Sequence, residues 1–273
     1  MTLPLGSLVL AVDRFIALAA IALFLAVCGW IARRAGHAKQ GNRAAVAAVI
    51  AGILFARLGF IFTHFSAFVP DPWSVFYIWQ GGFSALWGVT AGAVMLLALW
   101  RGPDRLKALA ALAVIALVWF GLERMTTHSQ REPFPEALTV TRLTGQPLAL
   151  DTLRGKPFVI NLWATWCPPC RREMPMLIDV AADRPGTPIL LVNQGEPVST
   201  VIRYLHREQL GAQAIMLDPK SGLSNALGIN AYPATLFVDA NGIIRLVHTG
   251  EISRAALLAG LRSISTLTGE PTS

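Results

Sequence analysis

The first half of the chain carries apolar runs long enough to cross a lipid bilayer. A transmembrane helix needs about 20 mostly apolar residues. Four stretches approach that length before residue 123, and they are Phe15 to Ala32, Ala44 to Thr63, Phe83 to Trp100 and Ala108 to Leu122. The sequence therefore predicts a two-domain protein of 273 residues whose residues 1–123 form an all-α polytopic membrane domain of about four transmembrane helices.

Basic residues flank these apolar runs unevenly. The loops after the first and third runs are basic, whereas the loop between the second and third runs contains no Lys or Arg. The basic loop residues are Arg33, Arg34, Lys39 and Arg43 in the first case and Arg101, Arg105 and Lys107 in the other. Because short cytoplasmic loops concentrate Lys and Arg, both termini are predicted to lie outside the cytoplasm.

The net charge of +7 follows the same division. Residues 1–124 contain ten Lys and Arg against four Asp and Glu, and the remainder contains thirteen against twelve. The excess therefore reflects membrane topology, and we expect no nucleic-acid partner.

The second half alternates short apolar runs with helical patterns, which predicts an α/β domain. Strands are expected near residues 158–163, 188–193, 215–217, 235–238 and 243–248, with helices near 198–209, 221–227 and 253–266. Asp239-Ala240-Asn241-Gly242 is a hairpin signal between the last two strands, and Ser253 is a suitable N-cap for the last helix.

Two cysteines three residues apart lie where the first of these strands leads into a helix. Pro168 suits the first helical position, so a helix is expected to begin at Cys167. The unpaired N–H groups and positive dipole at that end favour the thiolate, and Cys170 one turn later is within disulfide reach. This arrangement suits thiol-disulfide exchange, in which one cysteine attacks and the other resolves.

Two plainer explanations of the cysteine pair are a zinc site and a purely structural disulfide. A structural zinc site needs about four ligands, but the only other cysteine is Cys28 and the five histidines are scattered, so no metal is expected. A structural disulfide remains the alternative to the redox interpretation.

The chain around this pair resembles the TlpA/ResA-like membrane-tethered reductases of the bacterial periplasm, within the thioredoxin-fold family. The resemblance covers about residues 135–268 and is carried by Leu153-Arg154-Gly155-Lys156-Pro157, Trp166-Cys167-Pro168-Pro169-Cys170, Glu173-Met174-Pro175 and Ala231-Tyr232-Pro233-Ala234-Thr235. It implies a thioredoxin-like domain whose cofactor is the redox-active Cys167–Cys170 disulfide alone. Pro168, Pro169, Asn161 and Pro175 would support the active site, with Pro175 kinking the helix.

By the same resemblance, Pro233 would be a cis proline opposite the disulfide. Tyr232 and Pro233 would then form a platform for an extended substrate, whereas the alternative is an ordinary turn proline. Trp166 is expected to shield the disulfide and meet the partner, and Trp163 to pack in the core.

Glu196 resembles the glutamate that these reductases place near the cysteine pair. A carboxylate there would raise the pKa of a neighbouring thiol and shuttle its proton, although Glu196 could instead be a solvated residue before a helix. Asn161 stands six residues before Cys167, where cytosolic thioredoxins carry a buried aspartate. This departure makes Glu196 the expected proton partner.

The membrane half resembles the N-terminal part of prolipoprotein diacylglyceryl transferase over about residues 5–100. The matching stretches are Phe55-Ala56-Arg57-Leu58-Gly59-Phe60 and Ile78-Trp79-Gln80-Gly81-Gly82-Phe83-Ser84, but the family's following histidine and later helices are missing. We therefore expect a degenerate, inactive anchor. Arg57 in mid-span is a functional candidate for a lipid headgroup or for Asp13, unless it lies near an end and snorkels.

These observations predict a membrane-anchored disulfide reductase of the bacterial inner membrane. The expected divisions are a membrane domain over 1–123, a linker over 124–136, a thioredoxin-like domain over 137–268 and a frayed tail over 269–273. By resemblance, its partners would be periplasmic disulfide-containing clients, apocytochrome c among them, a membrane thiol donor of the CcdA or DsbD kind, and membrane lipid. Two alternatives are a thiol oxidase or isomerase on the same fold, and a lipid-binding or lipid-transferring protein with an accessory thioredoxin domain.

Overall fold

The computed structural model describes residues 2–5, 8–69, 72–77, 81–128 and 132–265. The main division between two compact units falls between Thr126 and Thr127. The expected tail over 269–273 and residues 129–131 of the expected linker lie outside the described residues.

The first unit is helical after a short N-terminal hairpin. The hairpin pairs β1 (Thr2–Leu5) with β2 (Leu8–Ala11), and the sequence did not predict it because four-residue strands are too short for periodicity to identify. The helices that follow are α1 (Val12–Arg34), α2 (Ala38–Thr63), α3 (Phe65–Phe68), α4 (Ala85–Leu99) and α5 (Arg105–His128), with a 3-10 turn over Pro72–Phe76.

Within the described residues, α1, α2 and α5 contain segments long and apolar enough to cross a membrane. The helix α4 is also apolar but has 15 residues, a length of roughly 22 Å at 1.5 Å per residue. The expected third span therefore corresponds to the shortest of these four helices, whereas the fourth run, Ala108 to Leu122, belongs to the 24-residue helix α5.

Glycines allow α2 and α4 to approach closely. A Cβ atom added at Gly88 would lie 2.9 Å from the Gly52 carbonyl oxygen and 3.0 Å from the Ala56 Cβ. The two backbones are therefore in direct contact at this crossing, as is common between membrane helices with small residues at their interface.

The linker differs from its expected bounds. The helix α5 continues to His128, because Glu123, Arg124 and Met125 favour helix and no proline interrupts the chain before Pro133. Phe134 is buried against Phe158, so it already belongs to the second unit.

The second unit is a seven-stranded sheet with helices on both sides. Its strand order is β4-β3-β7-β6-β5-β8-β9. The strands are β3 (Thr139–Arg142), β4 (Pro147–Ala149), β5 (Phe158–Trp163), β6 (Ile189–Gln194), β7 (Ile215–Asp218), β8 (Ala234–Val238) and β9 (Ile244–Thr249). The helices are α6 (Pro168–Ala182), α7 (Val198–Arg207), α8 (Gly222–Ala226) and α9 (Arg254–Ser265), with a 3-10 turn over Leu150–Leu153.

The sequence located the central elements of this unit to within a few residues, but it missed β3 and β4. The hairpin of β8 and β9 forms around the Asp239–Gly242 turn, and the Ser253 hydroxyl accepts a hydrogen bond from the Ala256 N–H at the start of α9. Both agree with the sequence.

The sheet positions the candidate site at one edge. Every residue of β5 and β6 is buried, and the two strands are parallel, with Trp163 paired to Asn193. Because parallel strands bring their carboxyl ends together, the loop before Cys167 and the loop carrying Glu196 emerge side by side. Trp163 packs in the core beneath them, with its ring centroid 5.5 Å from that of Tyr204.

Candidate redox site

Cys167 and Cys170 form a disulfide at the start of α6, with their Cα atoms 5.3 Å apart. Cys167 is the N-cap, Pro168 is the first helical residue, and the Cys170 N–H donates to the Cys167 Sγ over 3.3 Å. Cys170 is fully buried, whereas Cys167 keeps 3% of its surface exposed. A partner therefore reaches Cys167 first, and the helix N-terminus and this N–H would stabilise a thiolate there.

The prolines lie where the sequence placed them. Pro168 and Pro169 form the first turn of α6, where their missing N–H groups cost no hydrogen bond, and Pro175 lies inside the same helix. The Tyr232–Pro233 peptide is cis, as the resemblance implied.

Two aromatic side chains lie together at the site. Trp166 is 67% exposed, and its ring centroid lies 6.2 Å from that of Tyr232. The Tyr232 hydroxyl donates to the Ser224 Oγ over 3.1 Å, which holds this ring in place. An exposed indole beside a fixed tyrosine offers an apolar surface to an incoming chain.

Glu196 is buried and holds the loop that precedes the disulfide. Its carboxylate accepts hydrogen bonds from the Thr165 N–H at 2.7 Å, the Thr165 hydroxyl at 2.5 Å and the Asn193 side-chain amide at 2.7 Å. The alternative of a solvated residue is therefore wrong. The proton-shuttling role of Glu196 stays a prediction. Its carboxylate binds Thr165, which precedes Cys167 by two residues in the sequence.

Glu173 is a second buried carboxyl at the site, and the sequence analysis did not single it out. It follows Cys170 by three residues, nearly one turn of α6, and it is 2% exposed. Its Oε1 accepts from the Asn161 amide and its Oε2 from the Ile252 N–H, both at 2.8 Å.

Burial raises the pKa of Glu173 from 4.5 to about 8. The hydrogen bonds from Ile252 and Asn161 lower this pKa, but they do not offset the desolvation of the carboxylate. Glu173 therefore changes its charge near neutral pH, the range in which a proton-exchanging group works best. Its spacing was the available signal, since Cys170, Glu173, Met174 and Leu177 share the buried face of an amphipathic helix.

Asn161 explains how this carboxyl is held. Its amide donates to Glu173 and also to the Thr235 hydroxyl at 3.0 Å, two residues after Pro233. An asparagine on β5 thus serves as a hydrogen-bond donor that joins α6 to β8, and the acid lies on the helix.

Arg57, the candidate in the membrane unit, is buried between two backbone segments. Its Nε and Nη2 donate to the Val75 carbonyl at 3.1 and 3.0 Å, and its Nη1 donates to the Gly82 carbonyl at 3.0 Å. At Gly82, φ is +83° and an added Cβ would lie 2.9 Å from the Arg57 Nη1, which accounts for glycine at this position. The Arg57 guanidinium therefore binds the segment that connects α2 and α4 to the helix α2 itself. It does not snorkel.

The structure gives no candidate metal site among the residues that it describes. Among the described residues, no group of three or more His, Cys, Asp or Glu side chains is placed to hold a metal ion. The side chain of Asp13, the partner considered for Arg57, lies outside the described part of the chain. Cys28 is buried in the helical unit.

Comparison with known families divides the chain in the same way. Residues 131–247 match the AhpC/TSA family, and residues 5–134 match the prolipoprotein diacylglyceryl transferase family. The second match extends past residue 100, where the sequence analysis ended the resemblance, and takes in the α5 region.

Curated relatives match the second unit. The thiol-disulfide oxidoreductase ResA of Geobacillus thermodenitrificans is 35% identical over 124 residues, which cover 45% of this chain and 71% of the relative. The thiol:disulfide interchange protein DsbE of Pseudomonas fluorescens biotype C is 34% identical over 121 residues, covering 44% and 67%. A solved structure, a putative thiol:disulfide interchange protein DsbE from Chlorobium tepidum, is 23% identical with a TM-score of 0.45 and covers 50% of this chain and 96% of that chain.

Proposed function

Because the chain belongs, through its second unit, to the ResA and DsbE family of thioredoxin-like thiol-disulfide oxidoreductases, we propose that it reduces disulfides in exported proteins. In this proposal Cys167 and Cys170 are the working dithiol, and the helical unit anchors it to the inner membrane with the dithiol in the periplasm. The Cys167–Cys170 disulfide at the N-terminus of α6, in a domain of this family, is the observation that carries the proposal.

The exchange proceeds in two displacements. The Cys167 thiolate attacks one sulfur of the client disulfide, so a mixed disulfide forms and the client's other sulfur leaves as a thiolate. The Cys170 thiolate then attacks the Cys167 sulfur, which forms the Cys167–Cys170 disulfide and releases the client's second thiolate. Two electrons have moved to the client, and its two thiolates take up protons.

The buried site supplies a proton acceptor for the second displacement. Cys170 is fully buried, so its thiol needs a nearby base before it can attack. Glu173 lies nearly one turn away and titrates near neutrality, so we assign the proton of Cys170 to this carboxyl first. Glu196, tied to Thr165, remains the second candidate, and it also holds the loop that carries Trp166.

The client would be bound as an extended segment beside the disulfide. Trp166 and Tyr232 supply apolar contact, and the backbone before Pro233 is available for strand-like pairing. The proposed clients are exported proteins with a disulfide between nearby cysteines, such as apocytochrome c. A membrane thiol donor of the CcdA or DsbD kind would return the electrons.

The test is the redox state of the pair in growing cells. Cells are quenched with acid, free thiols are alkylated with a mass-tagging reagent, and the full-length protein is resolved by gel shift. Cys28→Ser serves as the matched background, because it leaves Cys167 and Cys170 as the only alkylation sites. We expect the pair to be mostly reduced, and to become oxidised when the membrane thiol donor is deleted.

A pair that is mostly oxidised in the donor-containing strain would contradict a reductase. It would instead favour the oxidase alternative, since Cys-x-x-Cys by itself does not determine the direction of electron flow. The lipid-transfer alternative has less support, because the Nε, Nη1 and Nη2 atoms of Arg57 already contact backbone carbonyls.

A further inference from the structure

An ion pair joins the start of α6 to the loop before α9, directly beside Glu173. The Arg172 Nε and Nη2 donate to the Glu251 Oε2 at 2.9 and 2.6 Å. The Glu251 side chain is 6% exposed, whereas that of Arg172 is 54% exposed. A buried carboxylate is thus matched by an arginine that reaches it from the surface.

This ion pair runs parallel to the hydrogen bond that holds Glu173. Arg172 precedes Glu173 on α6, and Glu251 precedes Ile252, whose N–H donates to Glu173. Two successive residues of the helix therefore contact two successive residues of the loop, so the two charges lie at a fixed position relative to the Glu173 carboxyl.

The two charges act on Glu173 in opposite directions. Glu251 disfavours a second negative charge nearby and raises the pKa of Glu173, whereas Arg172 favours that charge and lowers it. The neutral Asn161 on β5 also contacts this carboxyl, Cys170 precedes it by three residues on α6, and His248 on β9 lies beside Glu251, with its Nε2 3.3 Å from the Glu251 carbonyl oxygen.

We propose that Arg172 and Glu251 are positioning residues whose opposed charges adjust the protonation equilibrium of the buried Glu173, and through it the pH range in which Cys170 resolves a mixed disulfide. This inference rests on the proposed function, in which Glu173 takes the proton of Cys170. Nothing in the Cys-Pro-Pro-Cys motif itself encodes it, because Glu251 lies 79 residues from Arg172 in sequence.

The proposal predicts opposite effects from the two single variants. Glu251→Gln removes the negative charge and leaves Arg172, so the midpoint of Glu173 titration should fall by about one pH unit. Arg172→Gln removes the positive charge that lowers the pKa of Glu173 and leaves Glu251 in place, so the midpoint should rise by a similar amount. The midpoint of the double variant should lie between those of the two single variants, since both charges are removed.

The measurement is infrared titration of the full-length oxidised protein in detergent. The Glu173 carboxyl band is assigned by subtracting the spectrum of Glu173→Gln and is followed from pH 5 to 10. Arg171→Gln is the matched control, because Arg171 is also an α6 arginine but pairs with Glu208 over 2.8 Å. The midpoint of Glu173 titration in the Arg171→Gln protein should equal that in the wild type.

A purely structural ion pair would behave differently. If the pair only kept the loop in place, either single variant would loosen the Ile252 hydrogen bond and both midpoints would rise. The proposal would be overturned if the titration midpoints of the two single variants shifted in the same direction. It would also be overturned if the midpoint of Arg172→Gln did not shift, because the surface-exposed side chain of Arg172 can change without disturbing the core. Failure of the proposed function has a separate signature, namely opposite shifts in a protein whose wild type reduces no client disulfide.

Discussion

At the scale of single residues, the buried acid of the site lies on a helix and not on the central strand β5. Asn161 on β5 donates hydrogen bonds to both Glu173 and Thr235, and the ionisable carboxyl belongs to α6. Because Glu173 is almost fully buried, its charge is costly in the folded state. Glu173 should therefore affect the stability of the protein as well as its exchange chemistry.

Stability should fall as pH rises, and Glu173→Gln should remove this dependence. The pKa of Glu173 is about 8 in the folded protein against 4.5 as its ordinary value. Between these values the folded state keeps a proton that the unfolded state has lost. The contribution of Glu173 to the free energy of unfolding therefore decreases from about pH 4.5 to pH 8, by up to about 5 kcal/mol, and is level outside that window.

Pulse proteolysis of the full-length oxidised protein across urea concentrations at several pH values measures this dependence. Glu136→Gln is the control, because Glu136 has an exposed side chain and should leave the pH dependence unchanged. A Glu173→Gln protein that loses stability over pH 5–8 as steeply as the wild type would contradict the assignment.

At the scale of elements, glycine positions decide how closely helices and strands pack. Gly88 brings α4 onto the α2 backbone, and Gly260 lets α9 lie against the ring of Phe237, where an added Cβ would be 2.3 Å from a ring carbon. Both contacts fall in regular helices, where glycine costs about 1 kcal/mol of helix propensity. The close packing offsets that cost.

We expect Gly88→Leu to destabilise the helical unit by about 1–3 kcal/mol or more, because the new side chain cannot fit between α2 and α4. Cys28 is buried in this unit, so a thiol-reactive fluorophore reports its unfolding while Cys167 and Cys170 remain in their disulfide. The thermal midpoint of labelling should drop by several degrees.

The matched control is Gly121→Leu in α5, where an added Cβ meets no atom within 4 Å. Its midpoint should stay within a degree or two of the wild type or rise slightly, since leucine is the better helix former. Equal destabilisation by both variants would mean that the α2–α4 crossing is not the cause.

At the scale of the whole molecule, the two units carry different charge. The ten basic residues before residue 125 include those in the loops at the α1–α2 and α4–α5 junctions, whereas the second unit is nearly balanced. The excess of basic residues belongs to the helical unit, whereas the cysteine pair belongs to the second unit. This separation makes the orientation testable independently of the enzyme.

Topology reporters should place the second unit outside the cytoplasm. Alkaline phosphatase fused after residue 265 should be active, and the same enzyme fused at Gly36, between α1 and α2, should be inactive, because loops rich in Lys and Arg stay inside. Green fluorescent protein at the same two positions is the control and should give the reverse pattern. An active phosphatase at Gly36 would overturn the orientation and the periplasmic assignment with it.

The sequence by itself determined the features that depend on neighbouring residues. Apolar runs marked the helical unit, Cys-Pro-Pro-Cys after an apolar strand marked the start of α6, and Asn-Gly marked the β8–β9 turn. Each of these follows from a local propensity or a local periodicity, and such signals survive in a single sequence.

Only the tertiary structure decided which groups meet at the site. Glu173 owes its raised pKa to burial and is held by Asn161 and the Ile252 N–H, and Arg57 binds the carbonyl oxygens of Val75 and Gly82. The order of the strands determines the first set of contacts and the path of the loop between α2 and α4 determines the second. Many of these hydrogen-bond partners are backbone groups, which every residue has, so no pattern of side chains could have predicted them.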